Sequence, residues 1–160
     1  MLLLTHLAGM RVGEVAALTW GDVVNAEGRV KDEIRLNADQ TKGGHPRIVF
    51  LSPKLLKELE AYVCTAKRRE AHWAFFATQK EPKRGFTANT LAQYFLQLYK
   101  AAGIDGASSH SGRRSFATSL ISKGVGVRVL MRAMGHRNIS TTIGYIDASD
   151  DMLRKAVALV

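Results

Sequence analysis

The chain has 160 residues, 46% of them hydrophobic and 23% charged, which is typical of one globular domain that buries a real core. Its formal charge of +9 predicts a polyanionic partner, and nucleic acid is favoured over a membrane surface because no basic amphipathic helix stands alone. A basic surface without a specific partner is the alternative. The single cysteine, Cys64, excludes a disulfide framework and a cysteine-based zinc site, and we interpret it as a buried helix residue of a cytoplasmic protein.

The apolar opening of the chain, residues 1–10, is interrupted by Arg11 long before it reaches a membrane-spanning length. It also lacks the basic start and the small-residue cleavage site of a signal peptide. Its leucines resemble the later turns of a helix that has no N-cap, so we expect further sequence upstream of Met1.

The first elements are two helices, one ending near Gly9 and one running from about Val12 to Leu18. This places Arg11 at a helix–helix junction, where Glu14, three residues on, can reach back to it.

A small antiparallel sheet follows, because residues 30–36 and 47–51 are rich in β-branched side chains in a roughly alternating pattern. Gly43-Gly44 is a turn signal between the two strands and places Lys42 beside the hairpin tip. A lysine in such a place is usually just solvated.

The middle of the chain reads as two helices separated by a loop. Ser52-Pro53 starts the first helix, and Thr87 starts the second, which ends near Gly103. Residues 73–76 are apolar between basic runs, which predicts a loop with one buried anchor. The predicted inward faces are Leu55, Leu56, Leu59, Tyr62 and Val63 in the first helix, and Leu91, Tyr94, Phe95 and Leu98 in the second.

The last part of the chain is predicted to be helical. Helices are expected at residues 111–122 and 127–134, closed by Gly124 and Gly135, followed by a turn capped by Ser140 that carries Tyr145. Residues 152–160 form a short helix with one apolar face. The predicted fold is therefore α+β, mainly helical, with a small antiparallel β-sheet.

Between Gly106 and Ile146 the chain has no acidic residue but six cations, which indicates that their counter-anion comes from outside. The cations are Arg113, Arg114, Lys123, Arg128, Arg132 and Arg137. His110, His136 and Tyr145 lie among them, which indicates chemistry on a phosphate as well as binding to it.

Phosphodiester transfer without a metal needs a charge clamp, a nucleophile and an acid. Arginine suits the clamp because its planar fork donates two parallel hydrogen bonds, and Arg11 and Arg113 are the candidates. Tyr145 is a possible nucleophile and Lys42 a possible proton donor. The sequence shows no metal-ligand spacing and no phosphate loop, so we expect no metal and no cofactor. Each residue alone has a simpler explanation: a core tyrosine, a capping histidine, a solvated arginine.

In their order and spacing these motifs resemble the catalytic domain of the tyrosine recombinases, or phage integrases. The resemblance covers nearly the whole chain and rests on Gly9-Met10-Arg11-Val12-Gly13-Glu14, Thr41-Lys42-Gly43, His110-x-x-Arg113, Met134-Gly135-His136 and Tyr145. It implies the fold of that domain and a catalytic set of Arg11, Lys42, His110, Arg113, His136 and Tyr145, with Tyr145 as the nucleophile and Glu14 as a supporting acid. Arg114, Arg132 and Arg137 are expected to contact DNA.

The resemblance further implies that Tyr145 attacks a phosphate of double-stranded DNA, leaving a 3′-phosphotyrosyl link and a free 5′-hydroxyl. It also implies self-association on DNA through a C-terminal helix at residues 150–160. Gly112 stands where the family commonly has an apolar residue, and Arg114-Ser115 replaces the usual His-Thr. We expect residues 1–160 to form a single catalytic domain, with the family's N-terminal core-binding domain absent.

Three other functions are compatible with parts of this pattern. A decayed integrase would occupy DNA without cutting it, although all six catalytic positions are filled. A type IB topoisomerase-like enzyme would share the chemistry but relax DNA instead of exchanging strands. An interaction domain unrelated to nucleic acid would fit only if the charge were incidental.

Overall fold

The computed structural model describes residues 1–66, 69–79, 81, 83–145, 154 and 157–158. Its helices and strands, in chain order, are α1 (Leu2–Ala8), α2 (Val12–Ala16), α3 (Trp20–Val23), β1 (Glu33–Leu36), β2 (Arg47–Phe50), α4 (Pro53–Thr65), α5 (Ala88–Ala101), α6 (Ser111–Ser122), α7 (Val127–Met134) and α8 (Ile139–Ile143). The predicted mainly helical α+β fold with a small antiparallel sheet is confirmed.

The sheet consists of β1 and β2, paired antiparallel with Leu36 opposite Arg47 and Ile34 opposite Val49. Side chains alternate along a strand, so Ile34, Leu36 and Val49 all point into the core. The first strand begins at Glu33 rather than near Val30. The loop between the strands contains a short 3₁₀ helix, Ala38–Gln40, before the turn that carries Lys42.

The main core lies between the sheet and helices α1 to α5. Phe75 is fully buried in it and packs edge-on against the rings of Trp20 and Tyr62 at 5.0 and 5.3 Å. The loop at residues 73–76 was predicted to have one buried anchor, and both Phe75 and Phe76 are buried.

The predicted ends of most helices are confirmed, because they depend on local signals. Ser52 accepts a hydrogen bond from the backbone N–H of Leu55, and Thr87 accepts one from Thr90. Gly9 and Gly135 end α1 and α7 in the left-handed conformation, each with φ of 61°.

The prediction that Ser140 caps α8 is wrong. Asn138 is the cap, and its side-chain oxygen accepts a hydrogen bond of 2.9 Å from the N–H of Ser140. Both residue types are good caps, and the helix begins two residues earlier than predicted.

Three burial predictions are also wrong. Tyr94 and Leu98 on α5 are 43% and 38% exposed, because the buried stripe of that helix follows Leu91, Phe95 and Tyr99. Tyr94 stacks on Phe86 at the rim instead. Cys64 is exposed, since the inward face of α4 is set by Leu55 and Leu59.

A second apolar cluster joins α6 to α7. The buried residues of this cluster are Ala117, Ile121, Leu130 and Met134. Three partly buried residues pack against it: Phe116, Leu120 and Tyr145. None of the helices in the described ranges is both long and apolar enough to cross a membrane.

Candidate active site

Arg11 lies in the junction between α1 and α2, as predicted. The left-handed turn at Gly9 reverses the chain, and Arg11 then begins α2 with extended backbone. Its backbone N–H donates to Glu14 Oε2 at 2.7 Å, and its Nη1 donates to Oε1 at 3.0 Å. The Arg11 side chain remains 25% exposed.

Glu14 is only 1% exposed and is also held by a second arginine, Arg47 on β2. Arg47 donates from Nη2 to Oε2 at 2.7 Å and from Nε to Oε1 at 3.1 Å, which is a two-pronged ion pair. Burial acts to raise the pKa of Glu14, but the hydrogen bonds and charges of Arg47 and Arg11 outweigh it, so the pKa is lowered. Glu14 is therefore a carboxylate at neutral pH.

Sequence reasoning missed Arg47. Its third contact is a hydrogen bond of 2.9 Å from Nη1 to the carbonyl of Ala133, near the end of α7. The sequence did contain a signal. Arg47 and Val49 lie two positions apart on β2, so their side chains are on the same face of the sheet, which is the inward face. A charge on the inward face of a strand needs a buried partner.

Arg113 is 2% exposed, although arginine is almost never buried without partners. It donates from Nη1 to the carbonyl of Gly9 and from Nη2 to the carbonyl of Met134. Burial first, and the charge of Arg11 second, lower its pKa to about 10, so it stays charged at neutral pH. The two carbonyls lie at the ends of α1 and α7, the two helices that Gly9 and Gly135 close.

His136 directly follows the glycine that ends α7, and its ring is held on both sides. Nε2 lies 3.0 Å from Arg113 Nη2, and Nδ1 lies 3.0 Å from Thr142 Oγ1. An arginine can only donate, so Nε2 is the acceptor and the proton is on Nδ1. Burial, followed by the charge of Arg113, lowers the pKa of His136 to about 4, so the ring is neutral.

Tyr145 follows the end of α8 and is half-buried. Its ring stacks on the imidazole of His136 with centroids 5.8 Å apart and planes 24° apart. A negative charge on Tyr145 would favour the charged form of Arg113, so the two groups interact electrostatically. The structure thus brings four of the six predicted catalytic residues together: Arg11, Arg113, His136 and Tyr145.

Lys42 and His110 are not joined to this group by hydrogen bonds. Both are exposed, and neither side chain contacts a described residue through a hydrogen bond or an ion pair. His110 immediately precedes α6, one turn before Arg113. The loop that carries Lys42 is tied to the residue after His136, because Arg137 Nη1 lies 2.6 Å from His45 Nε2.

The other predicted DNA contacts, Arg114, Arg132 and Arg137, are exposed. Arg137 bonds to His45 as described, whereas Arg114 and Arg132 make no side-chain hydrogen bond or ion pair within the described residues.

The electrostatics of the site favour an anion. Three guanidinium groups, Arg11, Arg47 and Arg113, share a single carboxylate, Glu14, and His136 is neutral. The cluster, of which Arg113 and Glu14 are buried, therefore has a net charge of about +2. Among the described residues no group of histidine, cysteine and acidic side chains could hold a metal ion.

The fold and this site define a known class of protein. The sequence model of the phage integrase family matches residues 1–152, and the chain belongs to that family. It is 32% identical to the tyrosine recombinase XerA of Pyrococcus horikoshii over 157 residues, covering 98% of this chain and 52% of that protein. It is 28% identical to XerD of Halalkalibacterium halodurans, covering 99% of this chain and 52% of that protein.

Solved structures agree with the family. A crystal structure of XerA recombinase superimposes with a TM-score of 0.75 at 26% identity, over 98% of this chain and 55% of the other. XerH in a post-cleavage complex with a palindromic difH substrate has the same fold, with a TM-score of 0.73 at 22% identity, over 98% of this chain and 43% of the other. The chain spans about half the length of the curated relatives it matches.

Proposed function

We propose that this chain is the catalytic part of a site-specific DNA recombinase or integrase, which cuts and rejoins DNA strands through a 3′-phosphotyrosyl intermediate. The observation that carries the proposal is the net-positive arginine cluster beside a tyrosine ring. A DNA phosphate is the anion that such a cluster would accept, and the relatives named above are tyrosine recombinases. The single domain, residues 1–160, would act in the cytoplasm, where DNA is accessible.

In the proposed reaction the phosphate lies between Arg11 and Arg113. Negative charge develops on its non-bridging oxygens during attack, and fixed guanidinium groups stabilise that charge without reorganising. Arg113 uses three of its N–H groups on Gly9, Met134 and His136, and since a guanidinium carries five, two are left for the phosphate. His110, exposed one turn earlier, would donate a further hydrogen bond.

In the proposed cleavage step one bond to phosphorus forms and one breaks, so no cofactor is needed. The phenolic oxygen of Tyr145 forms a bond to phosphorus and its proton passes to water, while the bond from phosphorus to the 5′ oxygen breaks. Lys42 supplies a proton to that leaving oxygen from its exposed loop. A 5′-hydroxyl of the same or a second strand then attacks the phosphotyrosine and reverses the step.

Double-stranded DNA is the proposed partner. The exposed Arg114, Arg132 and Arg137 would contact its phosphates and position the scissile bond. A XerH structure is described as a recombinase bound to its difH substrate, which supports DNA as the ligand of this fold.

The test is covalent capture on a nicked suicide substrate, read on a denaturing gel. Wild type should form a protein–DNA adduct, and Tyr145→Phe should abolish it while DNA binding stays nearly intact. Tyr94→Phe is the matched control, because Tyr94 is exposed on α5 and should leave the adduct unchanged. An adduct that persists in Tyr145→Phe would remove Tyr145 from the role.

The same substrates separate the alternatives. Binding by wild type without any adduct would indicate a non-cutting remnant. Relaxation of supercoiled plasmid without exchange between duplexes would indicate topoisomerase-like activity.

We also propose self-association on DNA through residues 150–160. Met152, Leu153, Ala156, Val157 and Val160 have helical spacing in the sequence, and most of this segment lies outside the described residues. Deleting residues from Asp150 onward should weaken cooperative assembly on two-site DNA and leave single-site binding little changed. Loss of both together would identify the segment as ordinary core, and no change would show that it is dispensable.

A further inference from the structure

Thr142 is a fully buried polar residue to which the proposed reaction gives no role. Its exposed fraction is 0%, and it lies on α8, between the histidine and the tyrosine of the site. Its Oγ1 is 3.0 Å from His136 Nδ1, and its backbone carbonyl accepts a 3.0 Å hydrogen bond from the N–H of Tyr145. One residue therefore contacts both members of the stacked pair.

The contact of His136 Nε2 with Arg113 determines which atom donates in the hydrogen bond between His136 Nδ1 and Thr142 Oγ1. Arg113 has no acceptor atom, so it donates to His136 Nε2, and the ring proton is on Nδ1. Thr142 Oγ1 is then the acceptor of that proton. Without the hydroxyl, Nδ1–H would be a buried donor with no partner, which is unfavourable and removes the constraint on ring rotation.

We infer that Thr142 is the positioning residue of this site, fixing the His136 ring against Arg113 on one side and beneath the Tyr145 ring on the other. Histidine ligands of metals show the same design, in which a partner on the second ring nitrogen sets tautomer and orientation. The neighbouring Thr141 offers a contrast, since it is exposed and its hydroxyl makes no hydrogen bond within the described residues. The inference rests on the proposed function, because the positioned groups are those of the proposed DNA cleavage.

Three substitutions in the full chain test the inference. Thr142→Val keeps the side-chain volume and removes the hydroxyl, Thr142→Ser keeps the hydroxyl, and Thr141→Val makes the same chemical change on the exposed neighbour. Single-turnover cleavage of the nicked suicide substrate and DNA affinity are measured for each, with Thr142→Val also made in a His136→Ala background. Nitrogen-15 NMR of the histidine rings, recorded without DNA, reports which ring nitrogen of His136 carries the proton.

Thr142→Val should slow cleavage roughly 10- to 100-fold, as loss of such orienting partners does at metal sites, with DNA affinity unchanged. Thr142→Ser and Thr141→Val should stay within a few-fold of wild type. In the His136→Ala background Thr142→Val should add little, because the residue acts through that ring. The NMR spectra should show a hydrogen-bonded Nδ1–H in wild type and Thr142→Ser that is lost in Thr142→Val.

Wild-type cleavage by Thr142→Val would overturn the inference, and so would an equal loss in the His136→Ala background. A wild-type His136 protonated on Nε2 would also overturn it, even if Thr142→Val failed to fold. Absence of any adduct from wild type would instead refute the proposed function, and the NMR measurement would still decide the role of Thr142.

Discussion

At the scale of single residues, the site depends on one buried carboxylate. Glu14 neutralises part of the charge of two arginines, and no other acidic side chain takes part in the cluster that the described residues form. Removing one partner of a buried ion pair costs more than the pair contributes, because the remaining charge stays desolvated.

Glu14→Gln should therefore lower the free energy of unfolding by roughly 3–5 kcal/mol. The substitution preserves shape and leaves three guanidinium groups without a counter-charge. Urea unfolding at pH 7 measures the effect, with Glu58→Gln on the exposed face of α4 as the control, expected within about 0.5 kcal/mol of wild type. If Glu14→Gln lowered the free energy of unfolding no more than Glu58→Gln does, the result would contradict the described ion pairs of Glu14 with Arg11 and Arg47.

His136 predicts a pH dependence of stability. Its pKa is lowered to about 4 in the folded chain and is near 6.5 unfolded, so between these values the unfolded chain binds more protons. The contribution of neutral His136 to the free energy of unfolding should be complete above about pH 6.5. It should decrease as the pH drops toward 4, by up to about 3 kcal/mol.

Urea unfolding of wild type and His136→Gln between pH 5 and 7 isolates this contribution, because the variant lacks the titrating ring and should show a flatter profile. Glu14 loses its own stabilising effect only below its ordinary pKa of 4.5, outside that window. Parallel profiles for the two proteins would contradict the assignment.

At the scale of helices and strands, local signals predicted much of the fold. Ser52, Thr87, Gly9 and Gly135 mark helix ends within a few residues of themselves, so the sequence alone contains the information. The failures need distant information. From helical spacing alone, Tyr94 and Leu98 fit the apolar face of α5 as well as the residues that are in fact buried. Only the packing of α5 in the structure shows that Leu91, Phe95 and Tyr99 face the core.

The site shows the same division. The order of motifs predicted Arg11, Arg113, His136 and Tyr145, and the structure brings them together. Arg47 and Thr142 were missed, because their roles depend on a partner 33 residues away in one case and on a tautomer in the other. The residues that flank Arg47 and Thr142 in the sequence indicate neither of these contacts.

Gly112 lies where α6 packs closely against α1. A Cβ at Gly112 would collide with Thr5 Oγ1 and the ring of His6, and Thr5 is itself buried and bonded to the carbonyl of Leu2. The cost of a glycine in a helix is thus offset by closer packing of two helices.

Gly112→Ala should lower the free energy of unfolding by about 1–3 kcal/mol, because overpacking outweighs the gain in helix propensity. Gly144→Ala is the matched control, since nothing lies within 4 Å of its Cβ position and its φ is −61°. The control should be neutral or stabilising by about 0.4–1 kcal/mol in thermal or urea unfolding. Equal behaviour of the two variants would show that α1 and α6 do not pack this closely.

At the scale of the whole molecule, two apolar clusters are joined by a charged seam. One cluster occupies α1 to α5 and the sheet, and the other joins α6 to α7. Arg11, Arg47 and Arg113 bridge them by donating to the carbonyls of Gly135, Ala133 and Gly9. The seam carries the net positive charge, so an anion bound there contacts both halves of the molecule.

DNA binding by this chain should be weak and strongly salt-dependent, because phosphate contacts dominate its basic surface. For about five to six contacts, the slope of log affinity against log salt should be roughly −4 to −6, with little sequence preference. Fluorescence anisotropy with two unrelated duplexes between 50 and 200 mM salt measures both quantities. A salt-insensitive complex with one duplex alone would contradict the expectation.

The seam also has a consequence for biosynthesis. Its hydrogen bonds join residues 124, 104 and 86 positions apart, so each forms only after its more C-terminal partner has been synthesised. At a synthesis rate of about 5–20 residues per second, Arg11 precedes its partner Gly135 by roughly 6–25 s. During that interval a nascent chain is a basic polymer without a phosphate clamp. The proposed cutting activity would therefore begin only after Gly135 has been synthesised, and fragments truncated before residue 133 should be harmless to DNA.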